Sequence, residues 1–594
     1  MHSKGKFDYS ILLFIFLPIL LFWAKDITVT FYNNDDLYIK LLASGEFTGS
    51  PEAHLLHIGY FTSAILNILY KLLPSIPWYG LLLFSYGYLC IMLSLYILSK
   101  QIKRPYLRIF FSLTFSLISF TFLWIHIIEL QYTTITAIVC ALSLVCFYLS
   151  EESENIPSFI QKNILSIVTF FLALELRNKA CIMFIPIFIL IGLVKCIKNH
   201  KMFKPILAYF SILLLVVILS YTTKEIAYSA DEWKSFRTYN TARENIVDYN
   251  GFPDYKEYQA DYESLGVSFQ SYISATTRYH LLLDDNINTE FMVKMDSLSP
   301  DYKPTLKEMF HGFFYRHVIS YMDRPLNLIV YVFYLFVFLF IFVSKRWDAL
   351  LDLSALFIGR MTIWTYLLFI NRPIHRVTQG VYIVEFLLLL SIFLGQKLCF
   401  TDATNQTLQH RFSAKKLWHF IANKKLLPKR IVLVLFLVTV IFTTVKFGIP
   451  HISMISGYSK ERIYFSLAYA DMRKYFYEHE NNLYLLDSNS FSSFTEDVFA
   501  SPLPSHSNFV PLGNWLANSP WTDNIASRRN ITSYEEAAIT QDNIYFVFMN
   551  TDSTNYLYLE NYFKSKYPNI TLVICDTVYT SNGLEFYVLQ ARNN

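Results

Sequence analysis

The chain has 594 residues, of which 54% are hydrophobic, 18% aromatic and only 16% charged, and its mean hydropathy is +0.33. A soluble domain could not bury so much apolar surface around one core, so the composition excludes a soluble protein and predicts a polytopic membrane protein. The formal net charge of +4 excludes no class of partner, because the distribution of charge along the chain carries the information.

Apolar runs predict the membrane spans, since a helix needs about 20 mostly apolar residues to cross a bilayer. About eleven are predicted, at 10–25, 78–99, 107–127, 132–149, 163–176, 180–197, 205–223, 326–343, 350–370, 377–396 and 430–449. The first has a basic flank and no convincing cleavage site, so we expect a retained signal anchor. With the N-terminus inside, every strongly basic cluster falls in a cytoplasmic loop. The expected location is therefore the plasma or inner membrane, with the C-terminus outside.

This layout divides the chain into four predicted parts. An N-terminal transmembrane module, 1–223, contains a first outer loop at 26–77. A large, Tyr-rich extracytoplasmic loop, 224–325, is expected to be helical. The C-terminal transmembrane helices occupy 326–449, and an extracytoplasmic α/β domain occupies 450–594.

Segment 54–73 is apolar enough to resemble another span, but a crossing there would move the next basic loops outside. We therefore expect an amphipathic helix lying in the outer membrane interface.

The C-terminal region alternates helical and strand-like patterns, which favours a small α/β domain. The predicted strands are 482–488, 544–550, 570–579 and 585–590, and the predicted helices are 463–480 and 557–567. A Pro-, Asn- and Ser-rich stretch, 501–521, is typical of a long loop. Its Trp515 and Trp521 could stack on a sugar, but we expect them to be buried in the domain.

Two adjacent carboxylates, Asp35 and Asp36, follow the first span directly. One interpretation is structural: Asp35 caps a short helix that Gly45 ends, and Asp36 favours the positive helix N-terminus. A carboxylate beside low-dielectric material can also have a basicity suited to taking a proton from a hydroxyl. The pair is therefore our candidate for catalysis.

Two cationic groups lie at the outer ends of predicted spans. The stretch ELRNKA contains Arg177 and Lys179, and NRPIHR contains Arg372, His375 and Arg376. They could be interface anchors whose charges reach the headgroups. They stand on the side that positive charge tends to avoid, however, and Arg can grip a phosphate with two parallel hydrogen bonds. We therefore predict a lipid-phosphate site there.

Other candidates for binding lie in the outer loops. His54 and His57 could share one helix face, but no third or fourth metal ligand is evident, so no metal site is assigned, although a divalent metal is possible. His54 is retained as a substrate-binding candidate. The loop 224–325 is rich in Tyr, Asn, Arg and Asp, which can bind a sugar or form an ordinary lid. Arg243 and Asp248 are its candidates for substrate binding.

Taken together, this layout resembles the GT-C superfamily of integral-membrane glycosyltransferases. The shared features are the acidic pair in the first outer loop, the interfacial helix, the many spans and the outward C-terminal domain. The stretches DDLYIKLLASGEFTGSPEAHL and YNTARENIVDYNGFPDY also resemble a family of uncharacterised bacterial polytopic membrane proteins. No WWD-like motif is present, which argues against protein N-glycosylation.

The resemblance implies a polyprenyl-phosphate-linked sugar as donor, a glycan or lipid as acceptor, and the lipid bilayer as surroundings, with no nucleic acid partner. The first acidic residue of the first outer loop serves as base in that class, which by position is Asp35. Many members have Asp-Glu where this chain has Asp35 and Asp36, so which carboxylate acts stays open. Class members bind the lipid phosphate with basic residues at outer helix ends, which suits Arg177, Arg372 and Arg376 by location.

Two other functions remain alternatives. A surface-polysaccharide polymerase or ligase would depend on outer-loop arginines more than on an acid after the first span. A non-enzymatic flippase of lipid-linked glycans would show charged or broken helices in mid-membrane and internal pseudo-symmetry, which are not clear in the sequence.

Overall fold

The computed structural model describes residues 27–103, 105–300, 302–397, 427–550 and 556–593. The predicted first span, 10–25, and most of the basic loop 397–430 lie outside these ranges. The described chain is mostly helical and ends in a five-stranded sheet.

Eight helices among the described residues are long and apolar enough to cross a membrane, or nine if one bent pair counts as a span. The eight are Trp78–Lys100, Tyr132–Leu149, Asn178–Lys198, His200–Ala227, Leu326–Ser344, Trp347–Phe369, His375–Gly395 and Ile431–Glu478. The predicted span 107–127 forms the helix Pro105–Phe122, followed by the short helix Ile125–Ile128. The chain is therefore a multi-pass membrane protein by the length and composition of its helices.

Two predicted boundaries differ from the structure. The short predicted span 163–176 is the second half of a pair, Ile156–Lys162 and Ile164–Leu176, bent by 58°. Helix 463–480 is predicted to begin after the last span, but it is the end of one helical run that continues through 431–478. A single π-helical turn, Thr444–Gly448, joins its two parts. The helix therefore continues through residue 450, where the C-terminal domain is predicted to begin.

The chain contacts divide the protein into two compact units. The first, here the apolar unit, contains Leu82–Ser220 and Pro304–Tyr458. The second, here the polar unit, contains Val29–Leu81, Tyr221–Lys303 and Ser459–Asn594. The polar unit thus gathers most of the three segments that the sequence predicts to face outward.

The apolar unit is centred on the helix Tyr132–Leu149, which packs against His375–Gly395 and Ile164–Leu176. Nearly all of its side chains are buried. The helix begins at a defined residue, because the Gln131 side chain accepts hydrogen bonds from the backbone N–H groups of Thr133 and Thr134 at 2.7 and 3.0 Å. Its N-terminus is therefore well ordered, with a helix dipole that favours negative charge at this point.

A buried ion pair lies near the middle of two apolar helices of this unit. Arg360 Nε lies 3.0 Å from Glu385 Oε1, and both side chains are buried. The hydroxyl of Tyr334 donates to the same carboxylate oxygen at 2.9 Å, and the rings of Tyr331 and Tyr382 lie within 6 Å of the guanidinium. Charges are costly at this depth unless they are paired. The pair could not be predicted from the sequence, because each residue alone stands within a helix that is apolar enough to be a span.

The polar unit is built on a mixed sheet with the strand order Phe509–Pro511, Leu483–Leu486, Ile544–Met549, Glu585–Asn593, Ile570–Tyr579. The first three strands are parallel and the last two pair antiparallel. Helices Pro520–Arg528, Tyr534–Thr540 and Leu557–Lys566 lie between strands along the chain. All four predicted strands are therefore present. The strand Phe509–Pro511 lies inside the predicted loop 501–521, where a three-residue strand next to prolines leaves no alternating pattern.

The segment 224–325 is helical, as predicted. Its helices are Asp231–Arg243, Gln259–Ser264, Phe269–Arg278, Thr289–Leu298 and Leu306–Phe314, with π-helical turns at Glu244–Asn250 and Tyr315–Ile319. Within the polar unit, this segment pairs with the sheet edge where Leu282 N donates to Leu512 O at 2.9 Å.

A buried imidazole and carboxylate join that segment to the sheet. His280 Nε2 lies 2.9 Å from Oδ1 of Asp487, which directly follows the central parallel strand, and neither side chain is exposed to solvent. The Ser490 backbone N–H and hydroxyl donate to the other oxygen of Asp487 at 2.8 and 2.5 Å. Ser274 Oγ lies 3.3 Å from the second ring nitrogen of His280. Burial alone would raise the pKa of Asp487, but the hydrogen bonds from His280 and Ser490 outweigh it and lower that pKa.

We expect His280→Ala to lower the free energy of unfolding of the protein by about 2 kcal/mol, because it leaves Asp487 buried with one partner fewer. A carboxyl with a lowered pKa stabilises the fold above its ordinary pKa, and this contribution is lost as pH falls through the lowered value. The destabilisation should therefore be largest near neutral pH and shrink in strong acid. Thermal unfolding of detergent-purified protein between pH 7 and pH 3 measures it. Half-exposed His506, replaced by Ala, is the control, and equal shifts for both variants would contradict the prediction.

Candidate active site

The acidic pair stands in the first turn of the helix Asn34–Ser44. The sequence predicts Asp35 as the cap of this helix, and that prediction is wrong: the cap is Asn33, whose side-chain oxygen accepts from the backbone N–H of Asp36 at 3.4 Å. Gly45 ends the helix as predicted, with φ +83°. A Cβ on Gly45 would stand 2.5 Å from the backbone carbonyl carbon of Ser50, so the tight return of the chain requires glycine.

The two carboxylates have different surroundings. Asp36 is fully buried and accepts a hydrogen bond from the Tyr79 hydroxyl at 3.0 Å. Asp35 is half-buried, and its two oxygens accept hydrogen bonds from Trp515 Nε1 at 3.2 Å and from Asn33 Nδ2 at 3.3 Å. Asp35 is thus the carboxylate that a reactant from solvent can reach, while Asp36 is turned into the protein.

Aromatic side chains from all three segments of the polar unit form a chain of ring contacts that begins at Trp515, beside Asp35. Trp515 packs edge-to-face with Tyr38, His57 and Trp521 at centroid distances of 6.5, 5.0 and 5.9 Å. Trp521 contacts Trp233 in turn at 5.1 Å. Trp515 and Trp521 are buried, as predicted. The rings fix the position of the acidic helix relative to the C-terminal sheet of the same unit.

A cluster of four buried charges lies at the other end of the acidic helix. Lys40 Nζ is 2.5 Å from Glu46 Oε1 and 2.7 Å from Glu496 Oε2, and Arg473 Nη2 is 3.3 Å from Glu46 Oε2. All four side chains are at most 5% exposed. Two cations thus balance two carboxylates in a dry environment, which requires that every member be present.

The pKa values in this cluster shift in opposite directions. Burial favours neutral forms, but Lys40 and Arg473 outweigh it at Glu46 and lower the pKa of that carboxyl. Burial and the neighbouring Glu46 prevail at Glu496 and raise its pKa, although Lys40 opposes them. The two carboxylates hold the pKa of Lys40 above its usual value despite burial. Lys40 therefore stays charged and is the centre of the cluster. The cluster could not be predicted from the sequence, because Glu496 and Arg473 lie far from Lys40 along the chain.

The predicted substrate-binding residues have separate surroundings. His54 precedes the helix Tyr60–Leu72, which begins later than the predicted helix 54–73. It stacks on Trp233 with centroids 4.5 Å apart, and its Nε2 lies 3.2 Å from Ala227 O. Burial lowers the pKa of His54 despite that contact and the nearby Glu232. Its role as a substrate ligand stays a prediction.

The other two substrate-binding candidates, Arg243 and Asp248, lie in the second segment of the polar unit, Tyr221–Lys303. Arg243 is buried at the end of its helix and donates to Asn240 Oδ1 at 3.0 Å. Asp248 is exposed on the π-helical turn Glu244–Asn250. Asp248 is therefore accessible to a ligand, whereas Arg243 contributes to the interior of the helical segment.

The predicted phosphate-binding residues belong to the apolar unit, and two of them contact the first turn of one helix. Arg177 donates to the Tyr132 hydroxyl, and its guanidinium lies 4.6 Å from the centre of that ring. Thr134 Oγ1 donates to the backbone carbonyl of Arg376 at 3.2 Å. The Arg177 guanidinium and the backbone of Arg376 thus lie at the N-terminus of Tyr132–Leu149, whose dipole also favours an anion. The sequence could not show this, since the helix start lies far from both groups along the chain.

The remaining members of that group are accessible. Lys179 is exposed, and Arg372 and His375 are half-buried. His375 Nδ1 lies 3.6 Å from Oδ1 of Asp323, a fully buried carboxylate that Arg316 holds at 3.0 and 3.1 Å. Asp323 can therefore orient His375 at the start of its helix.

No group of three or more His, Cys, Asp or Glu side chains that could hold a metal ion occurs in the part of the chain that the structure describes. Asp36 faces Tyr79 and Asp35 faces Trp515. The two carboxylates thus face different partners. The divalent metal that the sequence leaves possible has no defined site among the described residues.

Comparison with known proteins gives a distant structural likeness. No protein-family model matches the sequence, and no curated protein matches it. The chain is similar to ArnT from Cupriavidus metallidurans in the apo state, with a TM-score of 0.49, 11% identity and 97% of each chain covered. The structure of that protein bound to undecaprenyl phosphate gives a TM-score of 0.47, 9% identity and 98% of each chain covered. At this level neither structure identifies the family or the activity of this chain.

Proposed function

We propose that the protein is an inverting glycosyltransferase of the cell membrane, which moves a sugar from a polyprenyl-phosphate donor to a cell-envelope glycan or lipid on the outer face. The proposal rests on the accessibility of Asp35 and on the hydrogen bonds that orient it. Asp35 is a solvent-accessible carboxylate directly after the predicted first span, with each oxygen fixed by an N–H donor. A base for an incoming hydroxyl must be reachable and oriented in this way.

The proposed reaction uses Asp35 as general base. The carboxylate takes the proton of an acceptor hydroxyl while the hydroxyl oxygen attacks the anomeric carbon of the donor sugar. The bond between that carbon and the phosphate oxygen breaks, and the electron pair leaves with the polyprenyl phosphate. Attack opposite the leaving group inverts the anomeric centre, through a transition state with oxocarbenium character.

The leaving phosphate gains negative charge in this step, and we assign its stabilisation to Arg177, Lys179, Arg372, His375 and Arg376. The Arg177 guanidinium at the N-terminus of Tyr132–Leu149, where the backbone of Arg376 also lies, supports this assignment. A helix N-terminus and guanidinium groups both favour an anion with several oxygens.

Depletion of the protein tests the activity directly. Mass spectrometry of cell-envelope glycans and of polyprenyl-linked sugars should show loss of one glycan modification and accumulation of its lipid-linked donor. Unchanged glycans and unchanged lipid carriers on depletion would contradict the proposal.

The phosphate assignment makes its own prediction. We expect Arg177→Gln and Arg376→Gln each to raise the KM for the lipid donor about tenfold, because each removes a charge-assisted hydrogen bond to the phosphate. Steady-state transfer measured with varied donor in detergent micelles gives KM. Arg346→Gln is the matched control, since Arg346 is an exposed arginine of the same unit that pairs with Asp348 at 2.9 Å. An increase in KM for Arg346→Gln equal to the others would contradict the assignment.

The alternatives make different predictions for Asp35. A polymerase or ligase that depends on outer-loop arginines should keep its activity when Asp35 is replaced. A flippase is favoured by one observation, the ion pair Arg360–Glu385 near the middle of two apolar helices. It predicts that replacing this pair abolishes lipid-linked glycan translocation while Asp35 variants retain it.

A further inference from the structure

Trp515 belongs to the C-terminal domain and contacts the proposed base. It lies on the 3₁₀ turn Asn514–Leu516, directly after the strand Phe509–Pro511, and is 4% exposed. Its Nε1–H donates to Asp35 Oδ1 over 3.2 Å. An indole N–H can only donate, and a carboxylate is a strong acceptor for it.

The backbone around Trp515 has an unusual conformation. Asn514 has φ +65° and Asn518 has φ +54°, in the left-handed region that costs free energy for residues other than glycine. A Cβ on Gly513 would stand 1.7 Å from the Tyr279 carbonyl oxygen, so this position requires glycine. The turn therefore keeps a costly shape, which directs Trp515 towards the acidic helix.

Further hydrogen bonds hold this turn in place. The Asn514 side chain accepts from the backbone N–H of Leu516 at 2.7 Å. Asn518 Nδ2 donates to the carbonyl oxygens of Leu281 and Ile287 at 3.1 and 2.9 Å. The turn is thus fixed at both ends, and the second segment of the polar unit supports it.

Three rings determine the orientation of the indole. Tyr38 and His57 come from the first segment and Trp521 from the C-terminal domain, and all three meet Trp515 edge-to-face. Tyr38 lies one helical turn after Asp35 on the same helix. The indole therefore keeps a fixed position relative to the carboxylate, and its N–H cannot turn away without disturbing this packing.

We propose that Trp515 is a positioning residue for Asp35, so that the C-terminal domain is a working part of the active site. The inference rests on the proposed function. The indole N–H holds Oδ1 and, with Asn33 on Oδ2, sets the rotation of the carboxylate. The orientation of the proposed base would therefore depend on the folding of the C-terminal domain.

Trp515→Phe tests the role in catalysis, because it keeps an aromatic ring and removes the N–H. We expect kcat to fall about tenfold or more with little change in KM, because the carboxylate loses the donor that fixes its rotation. Trp364→Phe is the matched control. Its Nε1 is also buried, it has no hydrogen-bond partner among the described residues, and it belongs to the helix Trp347–Phe369 of the apolar unit, so its kcat should match that of the wild type.

A stability measurement tests the contact without any assay of transfer. In a double-mutant cycle of Trp515→Phe and Asp35→Leu, the fall in Tm caused by Trp515→Phe should be clearly smaller when Asp35 is already replaced. Additive changes in Tm, or a kcat of Trp515→Phe equal to that of Trp364→Phe, would overturn the inference. If the wild-type protein transfers no sugar from any polyprenyl-phosphate donor, the proposed function fails, and the cycle alone decides whether Trp515 positions the carboxylate.

Discussion

Replacing Asp35 by Asn should reduce sugar transfer by about 10²- to 10⁴-fold, the usual contribution of a general base. The amide keeps the size of the side chain and one acceptor oxygen, so it can accept from Trp515 Nε1 or from Asn33 Nδ2 but not from both. Its capacity to take a proton is lost. Transfer of a radiolabelled sugar from purified lipid donor, in membranes containing equal amounts of each variant, measures the loss. The Tm of the variant should remain close to that of the wild type.

Asp36→Asn is the matched control, since it changes the neighbouring carboxylate in the same way. Asp36 is fully buried and accepts from Tyr79 at 3.0 Å, and an amide oxygen can accept that hydrogen bond too. We expect a fall in activity of less than about tenfold, with part of it due to lower stability. Loss of transfer in Asp36→Asn with near-normal transfer in Asp35→Asn would reverse the assignment. Normal transfer in both variants would favour a ligase.

The helices and strands of this protein could be predicted from the sequence more fully than the site. Long apolar runs and β-branched strand patterns are local signals, and they located the eight long apolar helices among the described residues and four strands of the sheet. The helix Asn34–Ser44 was also a local signal, with polar residues before it and Gly45 after it. Its cap was assigned to Asp35 instead of Asn33, since Asn and Asp are nearly equivalent as caps and the sequence offers both.

The division of roles within the acidic pair could not be predicted, because residues far along the chain determine it. Tyr79 makes Asp36 a buried acceptor, and Trp515 comes from the C-terminal domain to hold Asp35. The same reason explains why Lys40 was overlooked. A lysine in a short helix that follows polar residues suggests an exposed position until Glu496 is found beside it.

Helical periodicity was also a poor guide to charge inside the membrane. Arg360 and Glu385 each stand within a run that is apolar enough to be a span, so hydropathy averages conceal them. Only the packing of their two helices brings the charges together at 3.0 Å. The sequence analysis therefore found no clear charge in mid-membrane, where the structure has a complete ion pair.

The second large effect is expected at Lys40, and it concerns stability. Lys40→Met leaves Glu496 without its nearest cation and Glu46 with only Arg473, in an environment where all of these side chains are at most 5% exposed. Removing one partner of a buried ion pair costs about 3–5 kcal/mol. We expect a corresponding fall in the Tm of detergent-purified protein. Lys71→Met, an exposed lysine of the helix Tyr60–Leu72 in the same unit, should have little effect.

The pH dependence and a second substitution identify the cause of that loss. Glu496 already has a raised pKa, and without Lys40 it should rise further. A carboxyl whose pKa is raised by folding destabilises the fold as pH rises from its ordinary value to the raised one, so the deficit of Lys40→Met should narrow as pH falls from 7.5 to 5. Adding Glu496→Gln removes the carboxylate that has lost its cation and should restore at least half of the lost stability. A pH-independent deficit that Glu496→Gln does not relieve would mean that Lys40 acts through the packing of its aliphatic chain, and that charge balance does not hold the acidic helix in place.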